Sequence, residues 1–299
     1  MKKTLLSAAI AMTLTSPVMA VEVSDQLEVY GKMEVEYGAV RADDEHQYGT
    51  YLDIAEFGTT IRPNEHFDIV TSWLYEEYID DVETPLEIDE AYVNWHALPD
   101  DKLNIIAGKQ YLPFGNFETA MITDPLTLEL GETRQDKALV VNGTHNNVTA
   151  AAFGFKGEDK NGYGVAVNYD TERGNVGIDY QTHLQENEAA ALALHGAAKL
   201  GKTTLRAEHV TALEALEDSS KPSASRIEAN YDLNNNRTIA AQFQATQEAE
   251  ALELAETVYG VAYRQPLYKD LTGALELQQA KAYDGEKAKV LTAQIAYEF

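Results

Sequence analysis

A stretch of the sequence that two prolines interrupt, residues 108–133, concentrates acidic and aromatic side chains. Its candidates for chemistry are Phe114, Phe117, Glu118, Asp124, Glu129 and Glu132. Carboxylates gathered around an opening favour cations, whereas Arg and Lys favour anions. If these acids line an opening, the stretch predicts a constriction that attracts positive charge.

Four basic residues are candidates for binding an anionic ligand. Lys109 and Arg134 flank the stretch, and Lys32 and Arg62 precede it. A guanidinium group can bind a carboxylate through two parallel hydrogen bonds. The alternative is that these bases only neutralise neighbouring acids, which outnumber them along the chain.

The sequence carries no motif of a metal site or of an enzyme. Its seven histidines show no metal-ligand spacing. It contains no His-Glu-x-x-His motif, no glycine-rich phosphate loop and no Gly-x-Ser-x-Gly elbow. We therefore expect no metal, no cofactor and no catalytic residues, although an active site assembled from scattered residues stays an alternative.

The C-terminal residues indicate the type of secondary structure that would position these side chains. From Leu291 to Phe299, every second side chain is Leu, Ala, Ile, Tyr or Phe, and those between are Thr, Gln, Ala and Glu. A period of two with one apolar face indicates a half-buried strand. In an exported protein, a terminal Phe on the apolar face resembles the last strand of outer-membrane barrels.

The same alternation recurs along the chain and predicts sixteen strands. They lie near residues 26–38, 48–62, 66–78, 87–97, 101–111, 136–144, 147–156, 162–170, 174–184, 189–200, 202–214, 224–233, 236–246, 256–265, 270–281 and 287–299. The stretches 188–201 and 208–216 are rich in Ala and favour helix by propensity. Because glycines interrupt the first, we predict strands there too.

The first twenty residues predict export. Lys2 and Lys3 precede an apolar run, and Val18 and Ala20 occupy the positions that a signal peptidase reads. The run is too short to span ~30 Å of hydrocarbon, which argues against a membrane helix. We therefore predict a signal peptide at residues 1–20 and a barrel domain at residues 21–299, which has 299 − 20 = 279 residues.

Composition narrows the class of protein further. There is no cysteine, so the exported chain needs no disulfide bonds. The formal charge is −26, and it becomes 21 − 49 = −28 without the two lysines of the signal peptide. So acidic a chain repels nucleic acid, and we expect no nucleic-acid partner.

The strand pattern favours an all-β transmembrane antiparallel barrel of about 16 strands. A soluble β-sandwich, the alternative, would pack large aliphatic side chains inside. Here the polar faces carry charges on many strands, and the apolar faces are rich in Tyr and Ala. A barrel of sixteen strands leaves an aqueous channel. The chain is too short for a barrel of ~22 strands with a plug, so solutes would have to diffuse through it.

The proline-interrupted stretch then becomes a loop of this barrel. With both ends of the barrel in the periplasm, residues 112–135 form the third external loop. Loops longer than ~12–15 residues are usually functional or disordered, and this composition is not that of a disordered segment. An apolar loop avoids water by folding inward against the wall, where its acids would narrow the pore. The alternative is a lid or a latch between subunits.

Several strings of residues resemble two known families. The Pro-Phe-Gly core of "LPFGNFE", residues 112–118, is similar to the third loop of general trimeric porins. The longer strings "EIDEAYVNW" (87–95) and "AGKQYLPFGNFETAMITDPLTLELGET" (107–133), with "VYGKMEVEYG" (29–38), resemble the LbtU family of siderophore porins. The resemblance implies a barrel without a plug in the bacterial outer membrane. It also implies that an iron-carrying polycarboxylate siderophore diffuses through it.

Other functions and partners stay open at this point. A general diffusion porin for small, preferentially cationic solutes is the alternative function, and a barrel enzyme is the third. Lipid and lipopolysaccharide are expected neighbours. The acidic residues 41–49 predict either divalent cations held among lipopolysaccharide phosphates or a solvated loop tip. A homotrimer is expected only by analogy with porins of this strand count.

Overall fold

The computed structural model describes residues 21–42, 45–77, 85–99, 102–157, 160–184, 188–234 and 236–299. The predicted signal peptide, residues 1–20, lies outside the described residues, and its removal stays a prediction.

The described residues form seventeen strands. They are β1 (Val21–Ser24), β2 (Leu27–Ala42), β3 (Glu45–Asn64), β4 (Phe67–Glu76), β5 (Glu87–Leu98), β6 (Leu103–Tyr111), β7 (Arg134–His145), β8 (Val148–Lys156), β9 (Asn161–Thr171), β10 (Gly174–Gln181), β11 (Ala191–Leu200), β12 (Thr203–Ala212), β13 (Ser223–Asp232), β14 (Thr238–Gln247), β15 (Thr257–Tyr268), β16 (Leu271–Lys281) and β17 (Lys287–Glu298). A short helix, α1 (Leu126–Gly131), lies between β6 and β7, and a single 3₁₀ turn (Glu250–Leu252) lies between β14 and β15. In this part of the chain, no helix is long and apolar enough to cross a membrane.

The sheet closes on itself. Each strand from β2 to β17 pairs antiparallel with its neighbours in sequence, and β17 pairs with β2, as in Glu298 opposite Lys32. The short β1 also pairs with β2, with Val21 opposite Val29. Because β3 occupies the other edge of β2 along its length, β1 continues the line of β17. The circumference therefore holds sixteen strands, which confirms the predicted all-β antiparallel barrel.

Alternating side chains point to the two faces of the wall. In β17, Ile295 and Tyr297 are exposed, whereas Gln294 and Ala296, which alternate with them, are buried. The inward face of β2 likewise carries buried Glu34. Exposed apolar side chains on the outside and buried polar ones inside are the reverse of a soluble sandwich, which the structure excludes.

The two ends of the barrel differ in the length of their connections. Short turns, such as residues 65–66 and 172–173, lie at the end where β1 and β17 meet. The long connections, among them residues 112–133 and 213–222, lie at the opposite end. Transmembrane barrels have short periplasmic turns and longer extracellular loops. We therefore describe the end with the long connections as external.

The first Ala-rich stretch forms β11 as predicted, and the second is strand only as far as Ala212, the end of β12, because residues 213–216 belong to the following external connection. The backbones of β11 and β12 pair along their whole length, as in Ala193 opposite Val210, so cross-strand pairing overrides helix propensity. One detail of the predicted alternation is wrong. Alternation from Val176 predicts that Leu184, at the end of the predicted strand 174–184, faces outward. The strand ends instead at Gln181, and Leu184 lies buried in an interior apolar cluster.

Candidate functional site

The segment between β6 and β7, residues 112–133, lies inside the barrel, and we call it the inner loop. Its two ends are joined by a hydrogen bond from the Leu112 N–H to the Thr133 carbonyl oxygen (2.9 Å). From this neck it reaches inward-facing side chains of β10, β12, β13, β14 and β16. A segment that starts between β6 and β7 and touches these strands from within must cross the interior.

Buried wall carboxylates accept hydrogen bonds from the backbone of the inner loop. Asp179 on β10 accepts the N–H of Gly115 (2.9 Å). Glu208 on β12 accepts the N–H groups of Asn116 (2.8 Å) and Phe117 (3.2 Å). Together these two side chains hold the first part of the loop.

Three further wall side chains hold the rest of the loop in the same way. The pairs are Glu228 with the N–H of Ala120 (3.1 Å), Glu276 with the N–H of Thr123 (3.3 Å) and the Gln244 side-chain oxygen with the N–H of Leu126 (2.7 Å). We call the four acids, Asp179, Glu208, Glu228 and Glu276, the carboxylate row.

The sequence of the loop explains why it needs this support. Pro113 and Pro125 prevent the loop from joining a strand ladder. Its backbone N–H groups are nevertheless buried, and buried N–H groups need acceptors. Carboxylates supply strong acceptors because hydrogen bonds to an ionised group are shorter and stronger than neutral ones.

Two arginines balance the charge of the carboxylate row. Arg226, whose side chain is almost fully buried, lies 3.4 Å from Glu208 and 3.5 Å from Glu228. It also donates to the carbonyl oxygen of Glu118 (2.8 Å). Arg206 lies 3.3 Å from Glu228 and 2.5 Å from the Glu118 carboxylate. Burying an unpaired charge costs several kcal/mol, so these pairs make the row tenable.

The apolar side chains of the inner loop pack against the same part of the wall. Phe114 and Phe117, at 2% and 4% exposure, join an apolar cluster that includes Val210 of the wall. Leu216 and Leu252, from two external loops, pack against the same cluster. We expected both rings to line the constriction, but they are buried and fix the loop in place.

The four acids of the predicted constriction have different surroundings. Glu118 is about half exposed and paired with Arg206. Asp124 is buried, and neither of its carboxylate oxygens has a hydrogen-bond partner among the described residues. Glu129 and Glu132 are half-buried. The six residues therefore do not form one open ring, and their role as a constriction stays a prediction.

Burial changes the acidity of the inner loop. It is the main cause that raises the pKa of Asp124 well above its ordinary value; Glu129, Glu132 and Asp53 raise it further, and Lys32 opposes them. Burial, followed by the charge of Glu132, raises the pKa of Glu129 to about 8. Near neutral pH, Glu129 is therefore mostly protonated.

Two of the four candidate ligand-binding bases are paired with wall acids. Lys32 is buried and lies 3.0 Å from Glu34. Arg62 lies 2.6 Å from Glu28 and 3.5 Å from Asp68. These contacts are those of the alternative interpretation, in which the bases neutralise their neighbours.

The structure does not bring the four bases together. The backbone N–H of Arg62 bonds to Gln26, six residues before Lys32, which places the two bases about 20 Å apart along the wall. Lys109, half-buried on β6, lies four strands from β2, about 19 Å around the wall. Arg134 begins β7, but its side chain lies outside the described residues. Ligand binding by these bases stays a prediction.

Sequence reasoning missed the inward-facing arginines. Arg206, Arg226 and Arg264 lie on β12, β13 and β15, and the guanidinium of Arg264 is 3.4 Å from the Met121 carbonyl oxygen of the inner loop. Alternation already placed Arg226 and Arg264 on the polar faces of their strands. The sequence did not identify their partners, because the loop residues that they contact lie 88, 108 and 143 positions away.

Histidines near the inner loop make structural contacts. The Nε2 atom of His195 lies 3.1 Å from Asp179, the acid that also holds Gly115. Within the described ranges, no group of three or more His, Cys, Asp or Glu side chains could hold a metal ion.

No protein-family model matches the sequence. Distant relatives are a UPF0422 protein of Coxiella burnetii, 25% identical over 59% of this chain and 47% of the relative, and a UPF0422 protein of Legionella pneumophila, 22% identical over 63% of this chain and 45% of the relative. The chain thus spans about half the length of the relatives that it matches. Membership of the LbtU family stays a hypothesis.

Solved structures share the fold over nearly the whole chain. The outer membrane channel DcaP of Acinetobacter baumannii has a TM-score of 0.69 at 13% identity, covering 96% of this chain and 99% of that one. OmpF of Salmonella typhi, in complex with daunomycin, has a TM-score of 0.70 at 11% identity, covering 94% and 100%. A trimer form of OmpT of Vibrio cholerae has a TM-score of 0.63 at 10% identity, covering 91% and 99%.

These likenesses establish a porin-like barrel, which fits the predicted place in the bacterial outer membrane. The similar structures are channels and not enzymes, and the absence of enzymatic activity in this chain stays a prediction. The trimer form of OmpT is compatible with the predicted homotrimer, which also stays a prediction.

The carboxylate row gives a first prediction. Replacing Glu208 by Ala removes the wall acceptor for the N–H groups of Asn116 and Phe117. It also removes one of the two acids that pair with Arg226. We expect the free energy of unfolding to fall by about 3–5 kcal/mol and the loop to become sensitive to protease. Urea unfolding in detergent and limited proteolysis measure both effects. Glu172→Ala, an exposed turn acid, is the control; an equal loss there would contradict the assignment.

The buried Asp124 predicts a pH dependence. Its raised pKa means that the folded protein holds a proton that the unfolded chain releases, so this contribution is full at low pH and is lost as pH rises. We expect the free energy of unfolding of wild type to fall more between pH 5 and 8 than that of Asp124→Asn, by at least about 1.4 kcal/mol, the value of one pKa unit. Urea unfolding at each pH tests this. Asp218→Asn, which removes an exposed acid of lowered pKa, should behave like wild type, and identical slopes in all three proteins would refute the prediction.

Proposed function

We propose that the protein is a porin-like channel of the bacterial outer membrane through which small solutes diffuse. The observation that supports it best is the inner loop, held by the carboxylate row across the interior of a closed sixteen-strand barrel. A plug domain is not needed in this proposal, because the loop itself would narrow the path.

The charges of the wall favour cations as the preferred solutes. Glu34 and Glu36 face inward from β2. Lys32 is already paired with Glu34, and Arg62, farther along the wall, is paired with Glu28. On the inner loop, the Glu118 carboxylate is about half exposed, and it lies 2.5 Å from the inward-facing Arg206. Rings of acids favour cations in channels, so we infer a preference for positive charge.

Siderophore uptake is the second candidate, and the resemblance of residues 87–133 to the LbtU family favours it. A polycarboxylate iron chelate would need bases along its path. Lys32 and Arg62 are paired with acids, and Lys109 and Arg134 are the other two predicted contacts. Arg264 faces inward near the loop, where its guanidinium is 3.4 Å from the Met121 carbonyl oxygen, and we add it as a candidate because guanidinium groups suit carboxylates.

Ion selectivity tests the first proposal. In planar bilayers under a salt gradient, we expect the wild-type channel to pass cations in preference to anions. Glu118→Gln should lower the cation-to-anion permeability ratio by roughly twofold, because an exposed charge is partly screened by salt. Glu217→Gln, in an external loop, should leave the ratio unchanged. An anion-selective or non-conducting wild type would contradict the proposal.

Growth on a carboxylate siderophore as sole iron source tests the second candidate. We expect a strain without the protein to grow several-fold more slowly at limiting siderophore, with rescue by wild type. Rescue should be weaker with the double variant Lys109→Gln, Arg134→Gln. The matched double variant Lys202→Gln, Lys269→Gln neutralises two turn lysines instead and should rescue fully. Equal growth with and without the protein would leave the general channel as the function.

A further inference from the structure

Three bases form a patch on the outer face of the barrel near its external end. Arg41 on β2 and Lys287 and Lys289 on β17 are all exposed. Val40 and Ala288, their neighbours in sequence, are buried in an interior apolar cluster. Because side chains alternate along a strand, the three bases point away from the lumen. We call them the outer basic patch.

Strand register brings like charges face to face. Lys289 lies directly opposite Arg41, and Lys287 lies opposite Lys281. Like charges directly opposite each other destabilise a sheet. Lys281 is paired with Glu256. Within the described part of the chain, the bases of the outer basic patch form no ion pair.

This concentration of positive charge stands out in this chain. Acidic residues outnumber basic ones by 49 to 23 in the sequence. A random arrangement of charges would therefore place acids among neighbouring bases. Asp284 and Glu286 lie in the turn between β16 and β17, where the Glu286 N–H bonds to the Asp284 side chain. Arg41 and Lys289 face each other and repel. Binding of an external anion would reduce this repulsion.

An apolar band begins directly below the patch. On β17, Leu291, Ile295 and Tyr297 follow Lys289 on the same outward face. From Leu291 to Tyr297 is six residues, about 20 Å along the strand, or about 15 Å of height at the ~35–45° tilt of barrel strands. This stretch lies within the apolar band of about 25 Å that surrounds an outer-membrane barrel. The patch therefore lies where the apolar face ends at the external side.

We propose that the outer basic patch binds the phosphate groups of a phosphorylated glycolipid in the external leaflet. The three bases match the charge of the phosphates, and the apolar band below matches acyl chains. A free anion would contact only the three bases, whereas a lipid would contact both the bases and the apolar band. A lipid therefore fits the surface better. The patch lies on the outer face of the wall, and the proposal holds whatever passes through the barrel.

Binding of lipid A to the full-length protein in detergent tests the proposal. The probe is bis-phosphorylated lipid A, compared with the same lipid after its phosphates are removed, and each is measured with and without EDTA. We expect wild type to bind the phosphorylated form more tightly. The triple variant Arg41→Gln, Lys287→Gln, Lys289→Gln should bind it roughly tenfold more weakly, since each base near an anionic lipid surface contributes. Higher salt should weaken wild-type binding.

Two matched variants separate charge from folding. Arg41→Lys, Lys287→Arg, Lys289→Arg keeps every charge and should bind like wild type. Arg173→Gln, Lys202→Gln, Lys269→Gln removes the same charge from turns at the periplasmic end and should also bind like wild type. Equal binding by the neutralised variant, an equal loss in the periplasmic control, or equal affinity for the dephosphorylated lipid would overturn the proposal.

Comparing binding with and without EDTA tests whether the acids that follow Arg41 bind the lipid through a divalent cation. Asp43, Asp44 and Glu45 have side chains outside the described residues, and divalent cations could bridge such carboxylates to lipid phosphates. The proposed contact is direct and needs no cation. Binding that EDTA abolishes would therefore also overturn it.

Discussion

The inner loop depends on hydrogen bonds from its buried backbone to the carboxylates of the opposite wall. Prolines keep the loop out of the sheet, and folding inward removes its N–H groups from water. Glu208 and Glu228 accept these donors, and Arg226 between them offsets the cost of two buried charges. The position of the loop thus rests on a charge balance on two adjacent strands, β12 and β13, whose acids lie 92 and 108 positions from the loop residues that they bind.

This arrangement divides the interior into unequal parts. The loop binds the strands from β10 to β16 through its polar backbone, and its Phe and Leu side chains pack on the same wall. Asp124 remains buried without a hydrogen-bond partner in the described residues, and it lies near enough to Asp53 and Lys32 for their charges to act on its pKa. The backbone and apolar side chains of the loop are therefore fixed to the wall. The buried Asp124 makes the stability of the loop sensitive to pH.

The candidate ligand-binding bases show the limit of reasoning from charge alone. Lys32 and Arg62 were attractive as isolated bases in an acidic chain, yet each has an acid within ion-pair distance. These partners lie on the same strand or on its immediate neighbours. Cross-strand register decides them, and a one-residue slip would send every side chain to the other face. The arginines that do meet the loop, Arg206 and Arg226, were visible only as polar positions in a strand.

The sequence by itself determined the number of strands, their approximate limits and which side chains face outward, because the period of two is a local property that lipid on one face and polar groups on the other impose. It also located the loop, because prolines and length mark it wherever it folds. Only the tertiary structure decided what the loop touches. The contacts of Gly115 with Asp179 and of Phe117 with Glu208 join residues 64 and 91 positions apart, and closure of the barrel, which no local pattern encodes, brings them together.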